Sequence, residues 1–306
     1  MKKKNLISVV GPTGIGKTRL AIDLAKHFNT EIISCDSRQF FKGMEIGTAA
    51  PSAEELAEAP HHFIGNLSVE DYYSIGQYEE DALKKLNELF KIHDTVILVG
   101  GSMMYEKAVI EGLNDLPEAD EDNQKKLHEI LENEGIEKLQ EILKELDPEY
   151  FAVVDFHNHR RLLRAIDVIW QTNKKYSEQI AVSQDSRNFN TIRIGIEAPR
   201  EELYDRINRR VDIMMGKGLL DEAKGLEEFK HLTALNTVGY SELFKYFDGE
   251  WSLDFAVSEI KKNSRRYAKR QLTWYRKADN IHYLSLGYSQ EDFEGLIKYI
   301  NEQIQK

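Results

Sequence analysis

Short unbroken apolar runs alternate, in the first part of the chain, with longer stretches whose apolar residues recur every three or four positions. Residues 5–10 (NLISVV) read as a buried strand, and residues 17–28 as the helix after it, with Leu20, Leu24 and Phe28 on one face. Residues 31–35 (EIISC) form a second apolar strand ending at Asp36. Residues 78–89 are helical in period through Leu83 and Leu86, and residues 95–99 (TVILV) make a third buried strand that ends at Gly100 and Gly101. Strands dense in β-branched residues and separated by helices predict an α/β fold, a parallel sheet flanked by helices.

The texture changes after Leu116 and Pro117. From there to residue 190 the chain is charged, helical in period and without a convincing strand. Residues 191–197 (TIRIGIE) return to strand alternation. A long helix from Arg200 to about Met215, another over residues 255–276 and a last strand at residues 281–286 (IHYLSL) follow. The expected organisation is a core of residues 1–116 and 191–306, carrying an inserted all-helical lobe at 117–190. No internal repeat is visible. A chain of 306 residues is long enough for both parts.

Composition narrows the class. One cysteine, Cys35, excludes a disulfide scaffold and any multi-cysteine zinc knuckle. No apolar run approaches the roughly 18 to 20 residues that span a bilayer, so no membrane is expected as a partner. The lead-in MKKKNLISVVGP has too short an apolar run for a signal peptide and reads as the first strand, which predicts a cytoplasmic protein. The net charge of -11 argues weakly against a nucleic-acid binder, but the lysines and arginines are unevenly placed.

The strongest chemical signal is GPTGIGKT. Gly11, Pro12, Thr13, Gly14, Ile15, Gly16, Lys17 and Thr18 fit G-x-x-x-x-G-K-[ST] between a predicted strand and a predicted helix. Successive N–H groups curl around a phosphate there, Lys17 neutralises the outer oxygens and Thr18 offers a hydroxyl to Mg²⁺. The core is therefore expected to be P-loop NTPase-like. An NTPase normally holds its metal with an acid ending a second apolar strand, yet TVILV ends in Gly-Gly-Ser-Met. EIISC does end in an acid. Two uses of Asp36 are open, a metal-side carboxylate or a base facing a second substrate, and the carboxyl rim of the sheet is where ligands bind.

Basic residues supply the second signal. KKNSRRYAKRQLTWYR, residues 261–276, holds seven basic residues and no acid, interleaved with Tyr267, Trp274 and Tyr275. Helical spacing brings Arg266, Lys269 and Arg270 near one face, with Thr273 and Arg276 further on, while Ala268 and Leu272 can meet the core. Basic groups meet phosphates and aromatics stack on exposed bases, so an RNA strand is the natural partner. Arg160, Arg161 and Arg164 share a helix face in the inserted lobe. Arg206, Arg209 and Arg210 recur at similar intervals, and spacing does not choose which of them reaches the phosphate site. The histidines at positions 61, 62, 157 and 159 lack the partners of a structural zinc site.

Three classes account for these features. A nucleotide or nucleoside kinase shares the P-loop and an inserted lobe but leaves the basic helix without a role. A non-catalytic RNA-binding P-loop protein explains the helix but makes Asp36 incidental. An RNA-modifying transferase uses both.

Taken together, GPTGIGKT, SCDSRQFFKGMEIGTAAPS, the VGG of residues 99–101, RRLLRAIDV, LYDRINRRVDIMMGKGL, TVGYSEL and RRYAKRQLTWYR resemble, in order and through nearly the whole chain, the bacterial tRNA dimethylallyltransferases. The resemblance implies that the P-loop holds the diphosphate of dimethylallyl diphosphate. The prenyl group passes to N6 of adenosine 37, in the anticodon stem-loop of tRNA, and diphosphate leaves. It places Asp36 as the general base at that N6, with Ser37, Arg38 and Gln39 around the base. Arg210 falls on the donor diphosphate, and Ser102 stands where the family has a threonine in a GGT motif. Catalysis is thus assigned to Asp36, Ser102, Lys17 and Arg210, with Mg²⁺ on Thr18. Contacts to tRNA fall on Arg160, Arg161, Leu162, Leu163 and Arg164 and on Leu235, Asn236, Thr237, Val238, Gly239 and Tyr240. Lys269, Arg270, Gln271, Thr273, Trp274 and Arg276 complete the set. The chain departs from the family's usual residues at Ala50, at Ser241, in SMMYEKAV and near Gln124 and Lys125. A monomer is expected.

Overall fold

A computed structural model describes residues 3–180 and 187–305. In chain order the first part contains β1 (Lys4–Val10), α1 (Lys17–Phe28), β2 (Ile32–Ser34), α2 (Ala53–Glu58), β3 (His61–His62), α3 (Ile75–Leu89), β4 (Thr95–Val99) and α4 (Met103–Glu111). The helical stretch follows as α5 (Glu121–Leu146), α6 (Pro148–Phe151), α7 (His159–Thr172) and α8 (Tyr176–Ile180). Then come β5 (Phe189–Glu197), α9 (Arg200–Gly216), α10 (Leu219–Gly225), α11 (Tyr240–Phe247), α12 (Leu253–Tyr275), β6 (Ile281–Ser285) and α13 (Gln290–Ile304). Among the described residues no helix is long and apolar enough to cross a membrane.

All six strands form one parallel sheet in the order β3-β2-β4-β1-β5-β6. Side chains alternate across a strand, and that period of two divides the core into two layers. Leu6, Ile33, Val96 and Leu98 pack on one face with Leu219, Leu243 and Ile260, whereas Ile7, Ile32, Ile97 and Ile194 pack on the other with Leu20, Ile207 and Leu296. The chain leaves the central β1 for β2 on one side, and β5 returns on the other. That reversal opens a crevice at the carboxyl ends of the strands.

Three details go beyond the elements expected above. β5 begins at Phe189 rather than at residue 191, because Phe189 and Asn190 pair with Lys4 and Asn5 of the central strand. β3 is two residues long and has no periodicity to read; its pairing with Ile32 and Ile33 makes it a strand. α13 was readable, with Leu296, Ile297 and Ile300 buried on one face behind a Ser289–Asp292 capping box.

Contacts divide the chain into two compact units, Met1–Ile110 with Arg187–Lys306, and Glu111–Ser186. Residues 181–186, which belong to the expected lobe, lie outside the described residues. Within the smaller unit Leu162, Leu163, Ile166 and Ile169 of α7 pack on Leu127, Leu139 and Leu143 of α5. Gly135 breaks α5 with φ 80°, a conformation that other residues rarely adopt. Asp167 is fully buried there and accepts from Asn123 Nδ2 at 3.1 Å, Gln171 Nε2 at 3.0 Å and Arg164 at 3.4 Å.

Candidate active site

A cavity of about 910 Å³ opens at the carboxyl ends of the central strands, lined by the P-loop, Asp36, Gln39, Gly100, Gly101, Arg210 and Tyr267, among others. The loop is shaped by its glycines. Gly11 has φ 137° and Gly16 has φ 107°, and a Cβ on Gly11 would lie 3.3 Å from the Ile196 carbonyl oxygen. α1 begins at Lys17 with no acid in its first turn, so the positive end of the helix faces the cavity unneutralised. Lys17 Nζ donates to the Pro12 carbonyl at 2.9 Å. Burial pushes its ammonium down to about 8; Asp36 opposes that shift and Arg210 adds to it. The Arg210 guanidinium is likewise lowered, chiefly by burial, with Asp36 again opposing. Two cations thus lie in the field of Asp36 in a desolvated place, an arrangement that favours a bound polyanion.

The three arginines of α9 separate by what they touch. Arg206 Nε donates to the Gly14 carbonyl at 3.1 Å and braces the loop. Arg209 pairs with Asp205 at the surface. All three line the cavity, and Arg210 is the one that lies in the field of Asp36. Thr18 lines the same cavity from the first turn of α1.

Asp36 follows β2 and faces the GG turn after β4. Its Oδ1 accepts from the Arg38 amide at 3.2 Å, and its own amide donates to Ser34 Oγ at 3.3 Å. A Cβ on Gly101 would lie 2.8 Å from Asp36 Oδ2, and one on Gly100 would lie 2.4 Å from the Cys35 carbonyl carbon. Two glycines are needed because that backbone passes against residues 35 and 36. Ser102 Oγ accepts the Ser37 amide at 3.0 Å and lies 2.9 Å from Ser37 Oγ. The hydroxyl therefore joins the two rims of the site.

Arg38 and Gln39, expected around the accepting base, are engaged with backbone. Arg38 donates to the carbonyls of Thr233 and Ala234 at 2.9 and 3.1 Å. Gln39 Nε2 donates to those of Thr48 and Ala49 at 3.3 and 3.2 Å. Gln39, Thr48 and Ala49 all line the cavity, so the Gln39 side chain holds a wall of it in place.

Arg266, Lys269, Arg270 and Thr273 of α12 and Arg276 just after it are exposed, and all but Arg276 line, with Trp274 and Lys277, a groove of about 440 Å³. Gln271 departs from the expected set. It is fully buried, its carboxamide turned to the protein, so it has no surface to offer an RNA. Leu235 and Tyr240 are buried in the core as well, and Gly239 is buried, which leaves Asn236, Thr237 and Val238 as the accessible part of that segment. In the smaller unit Leu162 and Leu163 are core residues and Arg164 is tied inward to Asp167; Arg160 and Arg161 are exposed.

Two residues that support the site, Glu222 and Glu106, had no signal in the sequence, and Tyr267 had only a partial one. Glu222 accepts from the amides of Ile46 and Gly47, both at 2.8 Å, and so holds a cavity wall. Glu106, almost fully buried beneath β1, accepts from Ser8 Oγ at 3.0 Å and Arg193 Nε at 3.2 Å. Tyr267 lines the cavity and donates to the Gly101 carbonyl at 2.7 Å. Long-range contact singles out the two glutamates, whereas the clue to Tyr267 was its place among the basic residues of 261–276.

Comparison with known proteins adds an independent line. A family model described as IPP transferase matches residues 39–278. The chain is 50% identical over 299 residues to a tRNA dimethylallyltransferase of Christiangramia forsetii, covering 98% of each. It is 50% identical over 307 residues to a tRNA dimethylallyltransferase of Flavobacterium johnsoniae, again covering 98% of each. Among solved structures, it is similar to the full-length tRNA isopentenylpyrophosphate transferase of Bacillus halodurans. That match has a TM-score of 0.74 and 35% identity over 99% of this chain and 97% of that one. A eukaryotic dimethylallyltransferase acting on tRNA superposes with a TM-score of 0.81 at 26% identity, covering 92% of this chain and 74% of that one.

Proposed function

Because the chain belongs to the IPP transferase family, we propose that it transfers a dimethylallyl group from dimethylallyl diphosphate to N6 of adenosine 37 of tRNA. Diphosphate is released. The observation that carries this reading is that Lys17 of the P-loop, Arg210 of α9 and the Asp36 carboxylate after β2 line one cavity at the carboxyl ends of the strands. The cations take the leaving group and the carboxylate takes the accepting base.

Adenine N6 is inaccessible inside a stack, so the base must turn out into the cavity, which costs little for a loop nucleotide. The allylic carbon forms a bond to N6 as its bond to the diphosphate oxygen breaks, and the electron pair leaves with the diphosphate. Asp36 accepts the N6 proton as positive charge develops on nitrogen. Lys17, Arg210 and the N-terminus of α1 stabilise the charge that grows on the departing oxygens. Ser102 and Ser37 keep the two rims in register through their shared hydrogen bonds.

Thr18 fits a Mg²⁺ that arrives with the donor. Among the described residues no three His, Cys, Asp or Glu side chains converge on a metal, whereas the Thr18 hydroxyl lines the phosphate cavity. Magnesium commonly keeps its waters and takes phosphate oxygens with few protein ligands, and it would supply charge neutralisation on the diphosphate. On the RNA side, Arg160, Arg161, Asn236, Thr237, Lys269, Arg270, Thr273, Trp274 and Arg276 contact the anticodon stem-loop. The protein works as a cytoplasmic monomer.

The test incubates the protein with unmodified tRNA and either dimethylallyl diphosphate or ATP. The expected result is an adenosine heavier by one dimethylallyl group with the former only. Phosphate transfer from ATP, with no change to the RNA, overturns the assignment in favour of a kinase.

A further inference from the structure

The expected RNA contacts on α12 include Gln271, and its burial calls for another role. Its Oε1 accepts from the Thr13 amide of the P-loop at 2.8 Å. Its Nε2 donates to the carbonyl of Gly101, in the turn after β4, at 2.7 Å. One carboxamide therefore bridges the loop that takes the diphosphate and the rim that carries the base. Tyr267, one helical turn earlier, donates to the same Gly101 carbonyl at 2.7 Å, so both lone pairs of that oxygen are used.

The bridge is tight at both ends. Gly101 lies so close to Asp36 that a Cβ would come within 2.8 Å of its carboxylate, and the next residue, Ser102, receives the Ser37 amide. Movement of the Gly101 carbonyl is thereby passed to Asp36. At the other end the Thr13 amide is engaged by Gln271 rather than left for phosphate, so the cradle proper begins at Gly14. A primary amide is suited to this post because it offers an acceptor and a donor from one rigid plane.

We propose that Gln271 is a positioning residue for the transfer, setting the gap between the departing diphosphate and the accepting base; the assignment rests on the function given above. It touches neither reactant. Its effect arises because reacting atoms must be held about 3 to 3.5 Å apart, and a displacement of about 1 Å costs about a hundredfold in rate. The requirement falls on turnover, since each substrate still finds its own contacts.

Gln271→Glu puts an acceptor against the Gly101 carbonyl and keeps the one for Thr13; Gln271→Met fills the space and offers neither. Steady-state kinetics with an anticodon stem-loop RNA should show kcat lower by about a hundredfold in both, with KM for RNA and for donor each within about threefold. Tyr267→Phe, which leaves Gly101 one donor, should lose about tenfold in kcat, the worth of one hydrogen bond. The Thr13 amide should exchange slowly with deuterium in the unsubstituted protein and rapidly in Gln271→Met. The proposal is overturned by a folded Gln271→Met that keeps its kcat. It is equally overturned by a loss confined to KM for RNA, which would restore Gln271 to the RNA contacts. Should neither Gln271 variant fold, rapid Thr13 exchange in the unsubstituted protein or an unchanged kcat in Tyr267→Phe overturns it as well. Failure of the unsubstituted protein to prenylate the RNA strikes the functional assignment instead, and the control reaction separates the two.

Discussion

The Tyr240 hydroxyl donates to Glu222 Oε1 across 2.6 Å, and the same carboxylate receives the Ile46 and Gly47 amides at 2.8 Å. A cavity wall is thus fixed by a glutamate on α10 and a tyrosine on α11. Gly47 lies against that ring, where a Cβ would stand 2.5 Å from it. Glu222→Ala strands two amides and a phenol and should cost about 1 to 3 kcal/mol in urea unfolding. Gly47→Ala should cost at least as much by steric conflict with a fully buried ring, while Tyr240→Phe should cost about 1 kcal/mol. A Glu222→Ala protein as stable as the parent would show that the wall needs no such anchor.

Lys17 gives a pH dependence with a definite sign. Its ammonium is lowered from 10.5 to about 8 by burial, so the folded chain releases this proton before the unfolded chain does. Between those values the unfolded state binds more protons, and the contribution of Lys17 to stability rises with pH. A bound diphosphate favours the charged form and reverses the shift. Affinity for an unreactive alkyl diphosphate, whose own last ionisation lies near about pH 6, should therefore fall as pH rises through about 8. Calorimetry at about pH 9 in buffers of different ionisation heat should detect proton uptake, lost in Lys17→Met. Equal affinity on both sides of that pH would remove Lys17 from the diphosphate.

Asp36 can be separated from mere binding. Asp36→Asn should lower kcat by about 10² to 10⁴, the usual worth of a positioned general base, while RNA affinity stays within a few-fold. Parallel losses in rate and in RNA affinity would make Asp36 a docking residue.

The outer face of α12 should act through charge. Replacing Lys269 and Arg270 together by alanine should weaken RNA binding and lower the slope of log K against log salt by about 1.5, near the value for two lost phosphate contacts. An unchanged slope would place the RNA backbone elsewhere on the protein.

Much of this molecule is dictated locally. The unbroken runs NLISVV and TVILV, the glycine pattern of residues 11–16 and the helical period of residues 17–28 each depend on neighbours in sequence. They specify strand, loop and helix wherever they occur. The family is likewise legible, because its motifs are strings of adjacent residues. Other features arise from residues distant in sequence. The resemblance put Gln271 with Lys269 and Arg270 among the RNA contacts, and the helix period of residues 261–276 does not by itself turn Gln271 away from them. Folding turned Gln271 to Thr13 and Gly101, some 258 and 170 positions away. The same holds for the field of Asp36 on Arg210, which rests on where α9 crosses the P-loop. It holds for Glu222, an ordinary helical acid until the wall at residues 46 and 47 folds against it. What the sequence determined by itself is the presence of a phosphate loop, an acidic strand end and a basic helix. What the tertiary structure decided is which of their side chains face one another, because burial and hydrogen bonding are settled only when distant segments meet.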